Sequence, residues 1–296
     1  MRIGFMMNFN RERVDFAKKA GFKCCELKVS PEDDFFPGKP GWESRASDVK
    51  GYFDSQDIRI SCLAGFYVNH MDPAREEEYK KLVRNSILLA EKMNVGVVAG
   101  FSGRIKEKFL LRDSLQKYKE IWSEHARFAE DRNIKIAFEH CPLGRFFTPC
   151  EGSNFFCSPE AWDMAFNEVP SKAIGLEWDP SHLVCNFIDP LSNMRIYGSR
   201  IYHVHAKDAH VNRDIMSRYG NCYPGAMEHC FAGFGDTDWN LVIKELHRLE
   251  YRNDLNIEGW HDRVYRDEGN RKMEDEGLIL SLRYLEQFVI QDREAA

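Results

Sequence analysis

Met6-Met7-Asn8-Phe9-Asn10 closes the first β-rich run of the chain, Ile3–Met6, and leads into an amphipathic segment, Arg11–Ala20, without a glycine. A doubly wound open sheet wants a glycine-rich turn at this point, where the backbone must approach a phosphate. The missing glycines put that fold second to the closed (β/α)8 barrel, the other architecture built from βα alternation. Outward from this stretch the alternation persists. Lys23–Val29, Arg59–Ala64, Gly96–Ala99, Lys135–Glu139, Ile174–Trp178, Ile201–His205 and Leu255–Glu258 read as further strands. Ser44–Gln56, Ala74–Met93, Leu111–Arg132, Pro159–Asn167, Pro190–Tyr197, Trp239–Leu249 and Asp275–Val289 read as the helices that separate and follow them. In Ala74–Met93 the apolar face is Leu82, Ile87, Leu88, Leu89 and Met93. Eight alternations with no Gly/Ser/Pro-rich linker predict an α/β fold, a single (β/α)8 TIM barrel filling 1–296 as one domain.

The composition agrees. The chain has 296 residues, 43% hydrophobic and 30% charged, which suits a large folded core and excludes a disordered chain. A formal net charge of -6 without any basic block gives no electrostatic support for nucleic acid. No apolar run approaches the ~20 residues that span a bilayer, and the N-terminus lacks a signal-peptide core. The expectation is a cytoplasmic protein with neither membrane nor nucleic acid as partner. Its 9 cysteines include no C-x-x-C pair and read as buried, free thiols.

The long connections follow strands: Ser30–Trp42, Gly65–Pro73, Gly103–Leu110, His140–Ser158 and Ala206–Asp238. The turns that precede strands are short. A barrel carries its chemistry on strand-to-helix loops, so this asymmetry points to a site at that face. Four ligand-type residues sit there: Glu139 in KIAFEH, Asp179 in GLEWDPSH, His205 in IYHVHAKD and Glu258 in NIEGWHD. Their separations of 40, 26 and 53 residues each match one strand step of about 30 residues with loops of different length. Taken singly, each has a bland reading: a cap, an ion-pair partner, the turn former of Asp179-Pro180, a packed imidazole. Four at consecutive strand ends converge on one mouth. Three carboxylates there would repel one another without a cation. With an imidazole they suit a divalent ion such as Mn²⁺, Mg²⁺ or Co²⁺ better than a thiolate zinc site would.

HVHAKD, WDPSH, GFGDTDW and IEGWHD make nearly the whole chain resemble the xylose isomerase-like TIM barrels. That family includes ketose 3-epimerases, hydroxypyruvate isomerase, inosose dehydratase and endonuclease IV. The resemblance places the family's metal ligands on Glu139, Asp179, His205 and Glu258. It implies one divalent ion, Mn²⁺ first, with Mg²⁺, Co²⁺ and Zn²⁺ as alternatives. It makes His182 a substrate contact. Lys207 would share the face of His205 if the strand continues. The chain departs from the family at Glu258-Gly259-Trp260-His261-Asp262, where many relatives read E-H-E-D, and the arginine nearest after His205 is Arg213.

The function implied is a metal-dependent isomerase or epimerase of a sugar or sugar phosphate. Glu139 and Glu258 would be the catalytic pair that moves protons around an enediolate. His182, Lys207, Arg213 and Trp260 would bind the carbohydrate. Phe9, Phe66, Trp178, Phe231 and Phe234 are further aromatics expected near the mouth, and Phe231–Asp236 resembles a mobile loop bounding the site. The alternative is a dehydratase or lyase acting on a keto-inositol or keto-glycoside with the same metal; the ligand set serves inversion, isomerisation and dehydration alike. An endonuclease would need more ligands, for which His70 and His182 are the candidates, and a non-catalytic metal protein is the third reading. The family also implies a homo-oligomer, a dimer, with Tyr219, Tyr223 and Phe231 on the long mouth loop.

Overall fold

Asn10 shows why the first turn needs no glycine. Its side chain accepts the Glu12 N–H at 2.8 Å and caps helix Arg11–Ala20, which stops at Gly21 with φ 101°. This arrangement belongs to a computed structural model that describes residues 1–108, 110–143, 152–266 and 270–290. Part of the loop read between His140 and Ser158, 144–151, lies outside the described residues, as does Phe109 in the loop before Leu110.

The strands are β1 (Ile3–Asn8), β2 (Cys24–Lys28), β3 (Arg59–Phe66), β4 (Val97–Gly100), β5 (Lys135–Glu139), β6 (Ile174–Trp178), β7 (Ile201–Val211), β8 (Met227–Phe231) and β9 (Leu255–Ile257). Eight of them pair in parallel, β1 to β6 in order, then β7 and β9, and β9 returns to β1. The result is the closed (β/α)8 barrel. Along β5, Ile136 and Phe138 face the helices while Ala137 and Glu139 face inward, because strand side chains alternate. Cys62, Ala99 and Ala137 form a small cluster separate from the main core. Small residues there leave volume for the polar groups above them. Burial raises the thiols of Cys24, Cys25 and Cys62 well above their ordinary value, so they pack as neutral hydrophobes.

The departure from expectation lies after His205. The seventh strand does not stop there but runs to Val211. Its outer half pairs antiparallel with β8, from Lys207 opposite Phe231 to Val211 opposite Met227. The stretch Ala206–Asp238, expected as a loop, is therefore a hairpin with a short helix, Arg213–Tyr219, at its tip. Asp208 anchors its return. One carboxylate oxygen accepts the Ala209 and Thr237 N–H groups at 3.0 Å each; the other accepts Gly233 N–H and Trp239 Nε1–H at 3.2 Å each. A Cβ on Gly235 would lie 2.3 Å from Asp208, which accounts for the glycine. Phe231–Asp236 is thus a turn strapped by Asp208, with Phe231 fully buried. Asp208→Asn, with the amide turned toward either pair of donors, should lower unfolding free energy by about 2–3 kcal/mol, since buried donors would then face a donor. Urea denaturation checks this, and an unchanged midpoint would contradict it.

Candidate metal centre

The four strand-end residues converge as their spacing implied. Glu139 ends β5, and its carbonyl accepts a 2.7 Å bond from Asn154 Nδ2 that fixes the strand end. Asp179 follows β6 and serves twice. Oδ1 accepts the Ser181 N–H at 2.8 Å, capping the turn Pro180–Cys185, and leaves Oδ2 aimed at the centre. The bland reading of Asp179 as a turn former and the ligand reading are therefore compatible. The Asp179 N–H is in turn held by His140 Nε2 at 2.9 Å. His205 sits mid-strand on β7, and Glu258 follows β9. One ligand atom from each of Glu139, Asp179, His205 and Glu258 lies within 4.8 Å of all the others.

His205 Nδ1 and Asp179 Oδ2 are buried and receive no hydrogen bond, and Glu258 Oε2 is met by the Lys207 ammonium. His205 Nδ1 lies 3.8 Å from Glu139 Oε1 and 3.7 Å from Glu258 Oε2. Orphaned buried acceptors are costly unless a cation satisfies them. The donor set is three carboxylates and one imidazole, so the residues fit a divalent ion. Lys207 Nζ reaches the same space, 2.8 Å from Glu258 Oε2 and 3.9 Å from Asp179 Oδ2. Burial opposes its charge, but Glu258 and Asp179 outweigh burial and hold the ammonium above its usual value. Burial likewise works to raise Glu139, yet the His182 hydrogen bond at 3.3 Å and the nearby His205 imidazole bring it down to about 2.

A cavity of about 860 Å³ opens over these groups. Glu139, His182, Lys207, Glu258 and Trp260 line it. His182 Nε2 stands 3.3 Å from Glu139 Oε1 and 3.2 Å from Asp179 Oδ2. Arg213 does not line it: the strand extends past Lys207 and carries Arg213 to an exposed position at the hairpin tip. Of the six aromatics expected at the mouth, only Trp260 lines this cavity; Phe66, Trp178 and Phe231 are fully buried. Lys28 and Arg266 stack on Trp260, with ring distances of 5.9 and 4.5 Å. His70, the endonuclease candidate, packs against Phe66, Tyr79 and Trp122 away from the cavity. Gly259 explains the departure from E-H-E-D, since a Cβ there would meet the Phe231 ring at 2.1 Å.

The sequence reading missed a second layer. Glu26, Tyr67, Glu177 and His203 lie around the far nitrogen of His205. His205 Nε2 is 2.8 Å from Glu26 Oε2 and 3.2 Å from Glu177 Oε1. Tyr67 Oη approaches Glu26 Oε1 at 3.1 Å and Glu177 Oε2 at 2.6 Å. Burial and the neighbouring Glu26 push the Glu177 carboxyl well above its usual range. The signal was period 2: His203 and Glu177 precede His205 and Asp179 by two residues and so share their inward face.

The family model for xylose isomerase-like TIM barrels matches residues 14–287, and the chain belongs to that family. A xylose isomerase domain protein from Planctomyces limnophilus superposes with TM-score 0.73 at 12% identity, covering 97% of this chain and 96% of that one. The IolI protein, with a zinc atom bound, gives 0.70 at 16% identity over 98% and 100%. The D-psicose 3-epimerase of Clostridium cellulolyticum H10, with D-tagatose, gives 0.69 at 14% over 97% and 99%. At such identities these likenesses show the fold. The uncharacterized protein YfiH of Bacillus subtilis (strain 168) is 36% identical over 82 residues, 28% of this chain and 26% of that protein. No helix among the described residues is long and apolar enough to cross a membrane.

Proposed function

We propose that this member of the xylose isomerase-like TIM barrel family is a metal-dependent isomerase or epimerase of a ketose, acting as a single barrel domain on one divalent ion, Mn²⁺ by preference. The observation that carries the reading is the placement of Glu139 and Glu258. They stand three strand steps apart on the rim, on β5 and after β9, both line the cavity, and both approach His205 Nδ1. A divalent ion held by Glu139, Asp179, His205 and Glu258 would supply Lewis-acid charge to two adjacent oxygens of a hydroxy-ketone and so favour its enediolate. One glutamate takes the proton from the hydroxyl-bearing carbon next to the carbonyl, and the other returns one from the opposite face, inverting the centre. Return to the neighbouring carbon gives a 1,2-isomerase. His182, beside Glu139 and Asp179, is placed to hold a substrate hydroxyl. Trp260 offers a ring face to the sugar's C–H surface.

Lys207 favours one second reading. Its buried ammonium lines the cavity and could protonate a departing hydroxyl, which would make the outcome dehydration. Both readings are tested in D₂O. Metal-stripped protein is reloaded with Mn²⁺ and offered a panel of ketoses and keto-polyols. Deuterium at the α-carbon with inversion or isomerisation supports the first reading, and an unsaturated product supports the second. Metal-replete protein that exchanges no substrate hydrogen across the panel contradicts both. His205→Ala should abolish stoichiometric metal retention on desalting, and unchanged affinity would remove these four residues as the ligand set.

A further inference from the structure

We propose that Glu26, Glu177, His203 and His205 form a second, structural divalent-metal site one layer below the first, with the His205 imidazole shared between the two. This goes beyond the reaction proposed above and does not depend on it. The four donors are fully buried, and one ligand atom from each lies within 4.8 Å of all the others. The measured separations are 2.8 Å for Glu26 Oε2 to His205 Nε2, 3.2 Å to His203 Nε2, 3.2 Å for Glu177 Oε1 to His205 Nε2 and 4.0 Å to His203 Nε2. A tetrahedral ion with ligand bonds of about 2.0–2.1 Å has edges of about 3.3 Å, and these distances bracket that value.

Ser61 Oγ donates to the Cys25 carbonyl at 2.9 Å, so it accepts from Asn256 Nδ2 at 2.8 Å. That fixes the orientation of the Asn256 amide. Its remaining N–H faces His203 Nε2 at 3.3 Å, while Asn253 Nδ2 lies 3.5 Å from His203 Nδ1. Glu26 Oε2, Glu177 Oε1 and His203 Nε2 converge around His205 Nε2, and the buried Glu177 Oε1 has no hydrogen-bond partner. A cation between them would supply the partner that Glu177 Oε1 lacks. Tyr67 holds the other oxygen of each glutamate, orienting both inward. The backbone is arranged to the same end. Strand register shifts between Cys25 and Glu26 and again between Leu176 and Glu177, and such bulges re-aim side chains. Two imidazole nitrogens, two carboxylates and no open position suit Zn²⁺ or Co²⁺ in a structural role. Sharing takes His205 as imidazolate, Nδ1 toward the upper ion and Nε2 toward the lower, with its ring protons released to solvent.

The test uses the full chain saturated with Co²⁺ or Zn²⁺ and then desalted. The expected content is two ions per chain in the wild type and one in both Glu177→Gln and Asp179→Ala. In the Co²⁺ protein, Asp179→Ala should keep the intense visible band of a tetrahedral ion, whereas Glu177→Gln should lose it. Asp179→Ala removes the upper ion, so failure of the catalytic reading and failure of the lower site are told apart. One ion per chain in the wild type at saturation overturns the proposal, whatever the variants do. So does a Glu177→Gln protein that retains two ions. Should Glu177→Gln fail to fold, Glu177→Leu and the wild-type count decide.

Discussion

Glu258→Gln should lower turnover about 10²–10⁴-fold while leaving the fold intact, and Glu139→Gln should do the same. Each glutamine keeps the shape of the side chain and one carbonyl oxygen for an ion, but neither accepts a proton at the carbon. The two losses are separable by isotope. The variant that still has the proton-abstracting glutamate washes deuterium into the substrate's α-position without completing inversion, and the variant that lacks it does neither. Glu139 is the better candidate for the abstracting base. His182 Nε2, 3.3 Å from its Oε1, orients its carboxylate at the wall of the cavity. Glu258 instead lies against the Lys207 ammonium at 2.8 Å, a source from which a proton can be returned. The assay is single-turnover exchange monitored by NMR, with metal content measured in parallel. Full activity of metal-replete Glu258→Gln would replace the two-base scheme with a one-base route.

The legibility of this site in the sequence follows from what each residue depends on. Glu139, Asp179, His205 and Glu258 depend only on strand ends and topology, and the apolar runs before them mark those ends. Lys207 needed one further fact, that β7 continues. Its continuation, Ala206-Lys207-Asp208-Ala209-His210-Val211, is mixed in polarity because Lys207 is neutralised by Glu258 and Asp208 is consumed by four N–H groups. A periodicity argument sees such a segment as loop, although β8 covers it. Arg213 is the nearest arginine after His205 along the chain, and the hairpin carries it away from the cavity. Glu177 could have been read from its two-residue spacing to Asp179, but Glu26 depends on a bulge, which leaves no trace in residue type. The same holds for Tyr67, whose phenol reaches across the barrel to both.

Stability should fall steeply as pH drops from 6.5 toward 4.5, at up to about 5 kcal/mol per pH unit. Four histidines sit buried and neutral. Burial is the leading cause in each, taking His125 to about 4, His70 and His140 to about 3 and His229 to about 2. Their folded pKa values lie below the 6.5 of the unfolded chain. Below pH 6.5 the unfolded state therefore binds protons that the folded state refuses, and stability is lost as pH falls toward the folded values. Each site contributes at most about 1.4 kcal/mol per unit, so four acting together set the upper bound given, and Glu177, raised in the fold, keeps a proton there that the unfolded chain does not and works against them. His182 and His205 are raised instead, so below 6.5 they are protonated in both states and add no slope there; their contribution is lost on the alkaline side, as pH rises through their folded values. The lowered carboxylates, Glu139 and Asp179 among them, act only below about pH 4.5. A domain stable by about 5–15 kcal/mol would thus unfold near pH 5. Urea midpoints on metal-free protein between pH 7 and 5 test this, since bound metal would add its own proton linkage. His70 and His125 lie beside Trp122, away from the metal centre. Replacing either with glutamine should remove about one quarter of the slope, and a slope indifferent to both substitutions would place the acid lability elsewhere.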